Sequence, residues 1–570
     1  MRTPFFGSKK NRKHSKYSRA EIDPDEIFLD SRNLPDFNKH QLEGRIEKPI
    51  SKKTMFFFGL VFFLAIMVFS YQAWNLQVTH GQEYAERSEN NRMRKDALFS
   101  QRGVIYDRNN IILAWNEIAQ KNPQGFAVRK YKEIDGLGHI LGYLKYPMKD
   151  SSGIYYQDEF KGMDGVEKFF DNELSGKNGV KLIETDARGD VQSESIVELP
   201  ENGKDLVLSI DSRLQEQFYG FIKALAQNVG FSGGAGIIMD AYNGEVITSV
   251  SYPEYDSQTL TDGIDKSLIN SYLKNQNKPF LDRISMGVYA PGSIVKPFLS
   301  LAALFEGIIE PTKAIFSSGS ISIPNPYDPT KATVFNDWKP QGWVDMRHAI
   351  AVSSDVYFYE IGGGFEDQKG LGINNIKKYM EKFGFGSPVT NSFWAGGEKG
   401  VIPDPAWKKL NFDGEDWRVG DTYHTAIGQY GFQVTPAQVI QAISSIANEG
   451  SLVKPTILKG EQKKYSKTLP FTSNQYKVIK EGMRLAVTEG TAHGLDIPQI
   501  QVAAKTGTAE VGITKKKVNS WVIGFYPYQN PKYVFTVMME KGPYENTIGA
   551  LYVLRQMLEW MSVNTPEYIN

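Results

Sequence analysis

The 570-residue chain has no cysteine at all. That absence removes a thiol nucleophile, a Cys-ligated zinc site and any disulfide framework from consideration. It leaves the compartment open, since chains on either side of a membrane do without thiols. Net charge is missing too: 65 Lys and Arg balance 65 Asp and Glu, so no global basic field exists to hold nucleic acid. No internal repeat at a solenoid period is present. At about 150 residues per domain the length predicts an anchor plus two or three folded units.

Long apolar runs are scarce, but one is clear. Met55 to Phe69 reads MFFFGLVFFLAIMVF, and Ser70-Tyr71-Gln72-Ala73-Trp74 extends it to the ~20 residues that cross ~30 Å of hydrocarbon. Lys48, Lys52 and Lys53 flank one end and Tyr71 and Trp74 the other. The positive-inside rule then puts residues 1–54 in the cytoplasm and everything after residue 75 outside. A buried core helix is the rival reading, and a Phe-rich run without a polar break argues against it. The tail is far longer than a signal-peptide n-region and no A-x-A-like site follows, which favours an uncleaved signal anchor.

Residues 1–54 mix 13 Lys and Arg with 8 Asp and Glu and have few aliphatics, which reads as a largely disordered tail. The segment 55–74 is the membrane span. From 75 to 205 short strands and helices alternate with turns such as Asp107-Arg108-Asn109-Asn110, as a spacer or docking domain would. Residues 206–570 alternate hairpins with buried helices. Two strand-like runs there join through Tyr242-Asn243-Gly244, a hairpin signal. Trp521–Tyr526 and Tyr533–Met539 form a second β-rich pair, followed by the helical pattern LYVLRQMLEWM. The pattern predicts an antiparallel sheet built from both ends of the domain, with helices packed on it.

Three clusters carry chemistry. In Ala290-Pro291-Gly292-Ser293-Ile294-Val295-Lys296-Pro297, a Pro-Gly turn opens the apolar stretch FLSLAALF. That order predicts a buried helix with Ser293 and Lys296 one turn apart. Pro297 is tolerated in the first helical turns. A serine hydroxyl needs a base within reach, and Lys296 can serve if desolvation and a second cation destabilise its ammonium. The spacing alone is weak evidence, because Ser271 and Lys274 share it without the turn or the apolar helix and read as a surface coincidence. The second cluster is Ser353-Ser354-Asp355. The third is Lys505-Thr506-Gly507-Thr508, on a strand-like run whose small Ala503, Ala504 and Gly507 would let substrate approach the backbone. Taken singly, the second is a helix cap and the third a strand end. Together, and in this order, they specify a site.

The trio resembles the S-x-x-K, S-x-N/D and K-T-G motifs of penicillin-binding proteins and serine β-lactamases. Further segments resemble class B penicillin-binding proteins: Arg102-Gly103-Val104-Ile105-Tyr106-Asp107-Arg108-Asn109, Gly165-Val166-Glu167 with Leu174-Ser175-Gly176, and Gly428-Gln429 with Val434-Thr435-Pro436. The run SSDVYFYEIGGG is similar to the elongation-type subgroup, penicillin-binding protein 2. Division-type relatives usually have Asn at the third position of that triad.

This resemblance implies an α+β fold with a single N-terminal transmembrane helix, an elongated α/β pedestal of dimerisation type, and a transpeptidase domain whose central antiparallel sheet is flanked by helices. It implies a peptidoglycan D,D-transpeptidase that cross-links D-Ala-D-Ala stem peptides through an acyl-enzyme and is inhibited by β-lactams. Ser293 would be the nucleophile, Lys296 its general base and Ser353 the relay to the leaving D-alanine. Asp355 would hold the lysines. Lys505, Thr506, Gly507 and Thr508 would line the substrate-carboxylate site, with Lys505 depressing Lys296. The backbone N–H groups of Ser293 and Thr508 would form the oxyanion hole.

Some elongation-type relatives hold zinc through an Asp, a His six residues later and a Cys within the second triad. Here Asp337 is kept, but Trp343 and Ser354 stand at the other two positions, so no metal and no cofactor are expected. His348 alone makes no metal site. With no second catalytic domain before residue 205, glycan polymerisation falls to a partner, by resemblance a polytopic membrane glycosyltransferase of the elongation machinery. Rival readings are a division-type enzyme, a hydrolase of D,D-carboxypeptidase or β-lactamase type, and a non-catalytic sensor or scaffold. The large pedestal speaks against the hydrolase and the short cytoplasmic tail against the sensor. The pedestal aromatics Tyr155, Tyr156, Phe169 and Phe170 are expected in the core.

Overall fold

The computed structural model describes residues 51–118, 125–151, 153, 155–186, 190–325, 328–389, 393–394, 396–461, 465–512 and 516–569. The expectation of a disordered tail lies almost wholly outside them. The chain divides into two compact units, Met1–Arg92 and Met93–Asn570.

In the first unit Ser51 caps a helix over Lys52–Trp74, its hydroxyl accepting the Thr54 N–H at 3.1 Å. At 1.5 Å per residue this helix is about 35 Å long, the thickness of a bilayer core. None of its residues is buried, and Phe56 and Phe69 are 77% and 75% exposed. A helix apolar all round and, among the described residues, with nothing buried on it is suited to lipid rather than to a protein core. The polar helix Gly81–Arg92 follows.

The second unit begins with two small sheets. Strands Met93–Leu98, Gly179–Thr185 and Val191–Glu198 make one, and Leu206–Val207, Ile105–Tyr106, Ile112–Glu117 and Val128–Tyr131 the other. The second is tied to the helix Gly165–Phe169 by a buried ion cluster. Glu167 takes Arg102 Nε at 2.5 Å and Arg129 Nε at 2.8 Å, all three side chains 1% exposed or less. Burial pushes the Glu167 carboxyl up, but Arg129 and Arg102 outweigh it and hold the group below the usual glutamate range. Arg102 also donates to Ser175 Oγ at 2.7 Å, and Arg129 to the Gly103 carbonyl at 2.9 Å. Arg102 and Glu167, from two of the segments that mark the pedestal, therefore meet at one carboxylate, and Ser175 joins them through Arg102. A few residues on, Asp107 accepts the Asn109 and Ile111 N–H groups and the Ser212 hydroxyl, fastening the pedestal to the next helix.

Of the pedestal aromatics, Tyr155 and Phe170 pack against core clusters. Tyr156 and Phe169 do not, being 65% and 49% exposed. Phe169 lies edge-on to Phe393 at 5.8 Å, a neighbour remote in sequence.

The main sheet has five antiparallel strands: β1 (Gly233–Asp240), β2 (Val246–Tyr252), β3 (Ala503–Val511), β4 (Lys517–Tyr526) and β5 (Tyr533–Pro543), ordered β2-β1-β5-β4-β3. Both ends of the domain supply it, as the two hairpin signals indicate. Along β1, Ile237 and Met239 join one core cluster and Ile238 the other, because successive side chains leave opposite faces. The helix Pro436–Ala447 covers one face, and Ser212–Val229 with Ala550–Asn564 the other. With helices on both faces, β1 and β5 are buried along most of their length.

Glu167→Ala is expected to destabilise the ectodomain by about 3–5 kcal/mol, since two guanidiniums lose their buried counter-charge. The folded pKa of Glu167 is depressed, so its contribution is complete above the unfolded value of about 4.5 and drains as pH falls below it. Urea melts at pH 7 and pH 3.5 check both points: the gap between wild type and E167A should shrink at the lower pH.

Candidate active site

Ser293 sits on a short 3₁₀ turn, Gly292–Val295, that runs straight into the helix Lys296–Phe305. With three residues per turn, positions i and i+3 eclipse, so Ser293 and Lys296 share a face. The turn is clamped from two sides. Trp521 Nε1 on β4 donates to the Ala290 carbonyl at 3.0 Å, and the Gly292 N–H donates to the Gly428 carbonyl at 3.0 Å.

Gly507 on β3 explains how turn and strand come so close. A Cβ there would lie 2.8 Å from Ile294 Cγ2 and 2.9 Å from the Pro291 carbonyl. The small residue admits the serine turn and also lines the cleft in front of Ser293. Ala503 and Ala504 are fully buried and also face protein.

Ser353 closes the helix Met346–Val352 in left-handed backbone, φ 60° and ψ 39°, and Ser354 caps the next helix, Asp355–Gly363. A non-glycine residue in this region is costly and is held by its surroundings. The kink brings the Ser353 hydroxyl between two lysines. Lys296 Nζ lies 3.2 Å and Lys505 Nζ 2.8 Å from Ser353 Oγ. Lys296 also donates to the Ser353 carbonyl at 2.8 Å and pairs with Asp355 Oδ1 at 2.6 Å. Lys505 donates to the Thr506 carbonyl at 2.8 Å.

Both lysines are 0% exposed. Burial drives the Lys505 ammonium well below the usual lysine range, the nearby Lys296 charge adds to this, and Asp355 opposes it. Asp355 pairs directly with Lys296.

In front of these groups lies a cleft of about 390 Å³ lined by Ser293, Trp338, Ser353, Asp355, Thr491, Thr506 and Thr508, among others. Among the described residues the Ser293 hydroxyl has no hydrogen-bond partner. A serine beside a buried lysine pair, open to a cleft, is an arrangement for acyl transfer.

The transpeptidase model of penicillin-binding proteins matches residues 234–558, and the penicillin-binding protein dimerisation model matches residues 123–208. The chain belongs to the penicillin-binding protein transpeptidase family. Among curated relatives it is similar to the peptidoglycan D,D-transpeptidase MrdA of Acinetobacter baumannii, 27% identical over 89% of this chain and 87% of that protein. Among solved structures it is similar to Helicobacter pylori penicillin-binding protein 2 in complex with MreC, with TM-score 0.68 and 27% identity over 82% of this chain and 99% of that one. A peptidoglycan synthase complex that coordinates polymerisation and crosslinking contains a chain with TM-score 0.68 and 25% identity, covering 88% of this chain and 97% of that one.

All three motifs of this penicillin-binding protein thus reach one centre. Lys505 lies behind the cleft wall, while Thr506 and Thr508 face the cleft. Gly292 touches the Thr508 backbone: a Cβ on it would sit 2.6 Å from the Thr508 carbonyl. Ser271, the decoy, is exposed on the helix Lys266–Lys274, and its hydroxyl donates to the Leu268 carbonyl. Asp337 accepts the hydroxyls of Ser354 at 2.7 Å and Ser317 at 3.0 Å and the Val356 N–H at 3.1 Å, so it braces the second motif. Trp343 points away, 72% exposed against Phe316. His348 bonds Asp345 at the surface.

Sequence reasoning missed Thr491, which holds the Thr506 hydroxyl at 2.7 Å, and Trp521. Neither belongs to a motif. Gly507→Ala is expected to leave the fold intact and slow acylation of Ser293 by about 10²-fold, the effect of a shift of about 1 Å in a reacting group. Stopped-flow acylation with a chromogenic cephalosporin, beside a melting curve, checks it.

Proposed function

We propose that this chain is the elongation-type peptidoglycan D,D-transpeptidase, with Ser293 attacking the D-Ala-D-Ala carbonyl of a stem peptide. Lys296 takes the Ser293 proton, D-alanine leaves with a proton relayed through Ser353, and the amine of a neighbouring stem resolves the acyl-enzyme. The backbone N–H groups of Ser293 and Thr508 hold the oxyanion, and Thr506 and Thr508 receive the terminal carboxylate. The observation that carries this reading is the Ser353 hydroxyl held between Lys296 and Lys505 beside a free Ser293 hydroxyl in a cleft.

The division into a membrane span at 55–74, a pedestal at 75–205 and a transpeptidase domain at 206–570 belongs to the same proposal. The span crosses the membrane once, with its N-terminus in the cytoplasm and the enzyme outside. Partners come from the elongation machinery, foremost a polytopic membrane glycosyltransferase that engages the span and pedestal. The MreC complex of the Helicobacter relative and the synthase complex support this assignment. Full-length protein should co-purify that glycosyltransferase, and protein lacking the span and pedestal should not; equal recovery would overturn the partner assignment.

Incubation with a fluorescent penicillin should give one covalent adduct by intact mass. Ser293→Ala should abolish it, and Ser271→Ala should leave it unchanged. A long-lived adduct separates the transpeptidase from a β-lactamase, which would release it by hydrolysis.

A further inference from the structure

A second cleft, of about 440 Å³, opens where the dimerisation region, residues 123–208, meets the transpeptidase region, residues 234–558. It shares no lining residue with the cleft at Ser293. His139, Asp164 and Phe169 line it from the first region, and Asp282, Met286 and Phe393 from the second. The acyl-transfer chemistry gives none of them a task.

Its histidine is unmet. His139 is 8% exposed, and neither ring nitrogen has a hydrogen-bond partner among the described residues. The Pro279 carbonyl comes near the ring without completing a bond, and Tyr255 meets the ring edge-on at 5.0 Å. Buried polar groups are ordinarily paired, so an open imidazole on a cleft wall points to something that pairs it. Burial pulls its pKa down against Asp282 and Asp164, which raise it. The neutral ring keeps a lone pair that can accept a hydrogen bond.

Two carboxylates stand on the same walls. Asp164 accepts the Tyr255 hydroxyl at 2.6 Å, and Asp282 accepts the Ile284 N–H at 3.0 Å and the Ser285 hydroxyl at 2.5 Å. Neither makes an ion pair among the described residues. Arg283, next to Asp282 in sequence, is taken by Glu540 at 2.8 Å. Lys168 also lines the cleft, but it is exposed, and one lysine against two aspartates leaves a surplus of negative charge. Among the described residues no three His, Asp or Glu side chains are gathered to hold a metal ion, so the complement to this charge is an extended organic cation.

The remaining walls suit a flat one. Phe169 stands edge-on to Phe393 at 5.8 Å, and Phe393 to Trp394 at 5.1 Å. Aromatic rings attract cations. A guanidinium stacks on them, meets carboxylates with a rigid fork of donors and is less strongly hydrated than an ammonium. At the rim Phe169 and Met286 are 49% and 42% exposed, an apolar border for the residues beside such a side chain.

We infer that this junction cleft is a docking site for an arginine side chain of a partner protein. Asp164 and Asp282 hold the guanidinium against the rings, one of its N–H groups is donated to His139, and apolar neighbours of the arginine rest on Phe169 and Met286. A partner seated there touches both regions at once. The inference does not use the acyl-enzyme reading and stands or falls apart from it.

The test uses the full-length chain in non-ionic detergent and the blocked peptide acetyl-Leu-Arg-Leu-amide, with binding followed by saturation-transfer NMR at fixed salt. The same peptide with citrulline, which keeps the shape and loses the charge, should bind at least about 10-fold more weakly, as should Asp164→Asn and Asp282→Asn with the arginine peptide, the effect of losing one hydrogen bond between charged groups. Phe169→Ser, at an exposed position, should also weaken binding. Asp416→Asn, an exposed carboxylate elsewhere, should leave it unchanged, and melting curves report that each variant is folded. Equal binding of the citrulline peptide, no saturable binding of the arginine peptide, or folded Asp164→Asn and Asp282→Asn variants that bind like wild type would overturn the site. Tighter binding of spermidine than of the arginine peptide would overturn the partner protein in favour of a small polycation.

Discussion

The catalytic centre depends on one ion pair inside the protein, Lys296 with Asp355 at 2.6 Å. Placing a lysine at 0% exposure costs several kcal/mol unless its charge is met. The partner comes from the first turn of another helix, where a carboxylate is favoured by the helix dipole. This pair draws two helices together, and the left-handed kink at Ser353 puts a hydroxyl and a carbonyl on the same ammonium. Lys505 arrives from a third element, β3, and completes a row of two nitrogens with an oxygen between them.

The surroundings serve that row by rigid contact. β3 is the edge of the five-stranded sheet, so its outer side is free to receive the serine turn, and Gly507 sets how near it comes. Trp521 on the next strand and Gly428 from a distant loop hold the turn from behind. Asp337 locks the start of the Asp355–Gly363 helix through Ser354 and Val356. At the other end of the unit, Glu167 between Arg102 and Arg129 does for the pedestal what Asp355 does for the site: a buried charge is retained only where its counter-charges are also fixed.

Much of this was legible in the chain. The long apolar helix follows from the Met55–Phe69 run, and the sheet from two hairpin signals far apart in sequence. Ser293, Lys296, Ser353 and Lys505 were identifiable because their spacing and order form a known set, while Ser271 shows that spacing alone would mislead. Thr491 was not legible, since one threonine in a loop carries no local signal. The contact of Gly507 with the serine turn was not legible because a small residue on a strand says that something approaches, without saying what. Tyr156 and Phe169 were misplaced because hydrophobicity does not tell which aromatic of an adjacent pair faces out.

Local chemistry along the chain determined which residues could act and which segment could enter a membrane, because those properties depend on side-chain type and short-range periodicity. Only the tertiary structure decided what each lysine meets. That depends on which oxygens stand within about 3 Å of each nitrogen, the usual hydrogen-bond distance, and those oxygens come from elements the sequence keeps far apart.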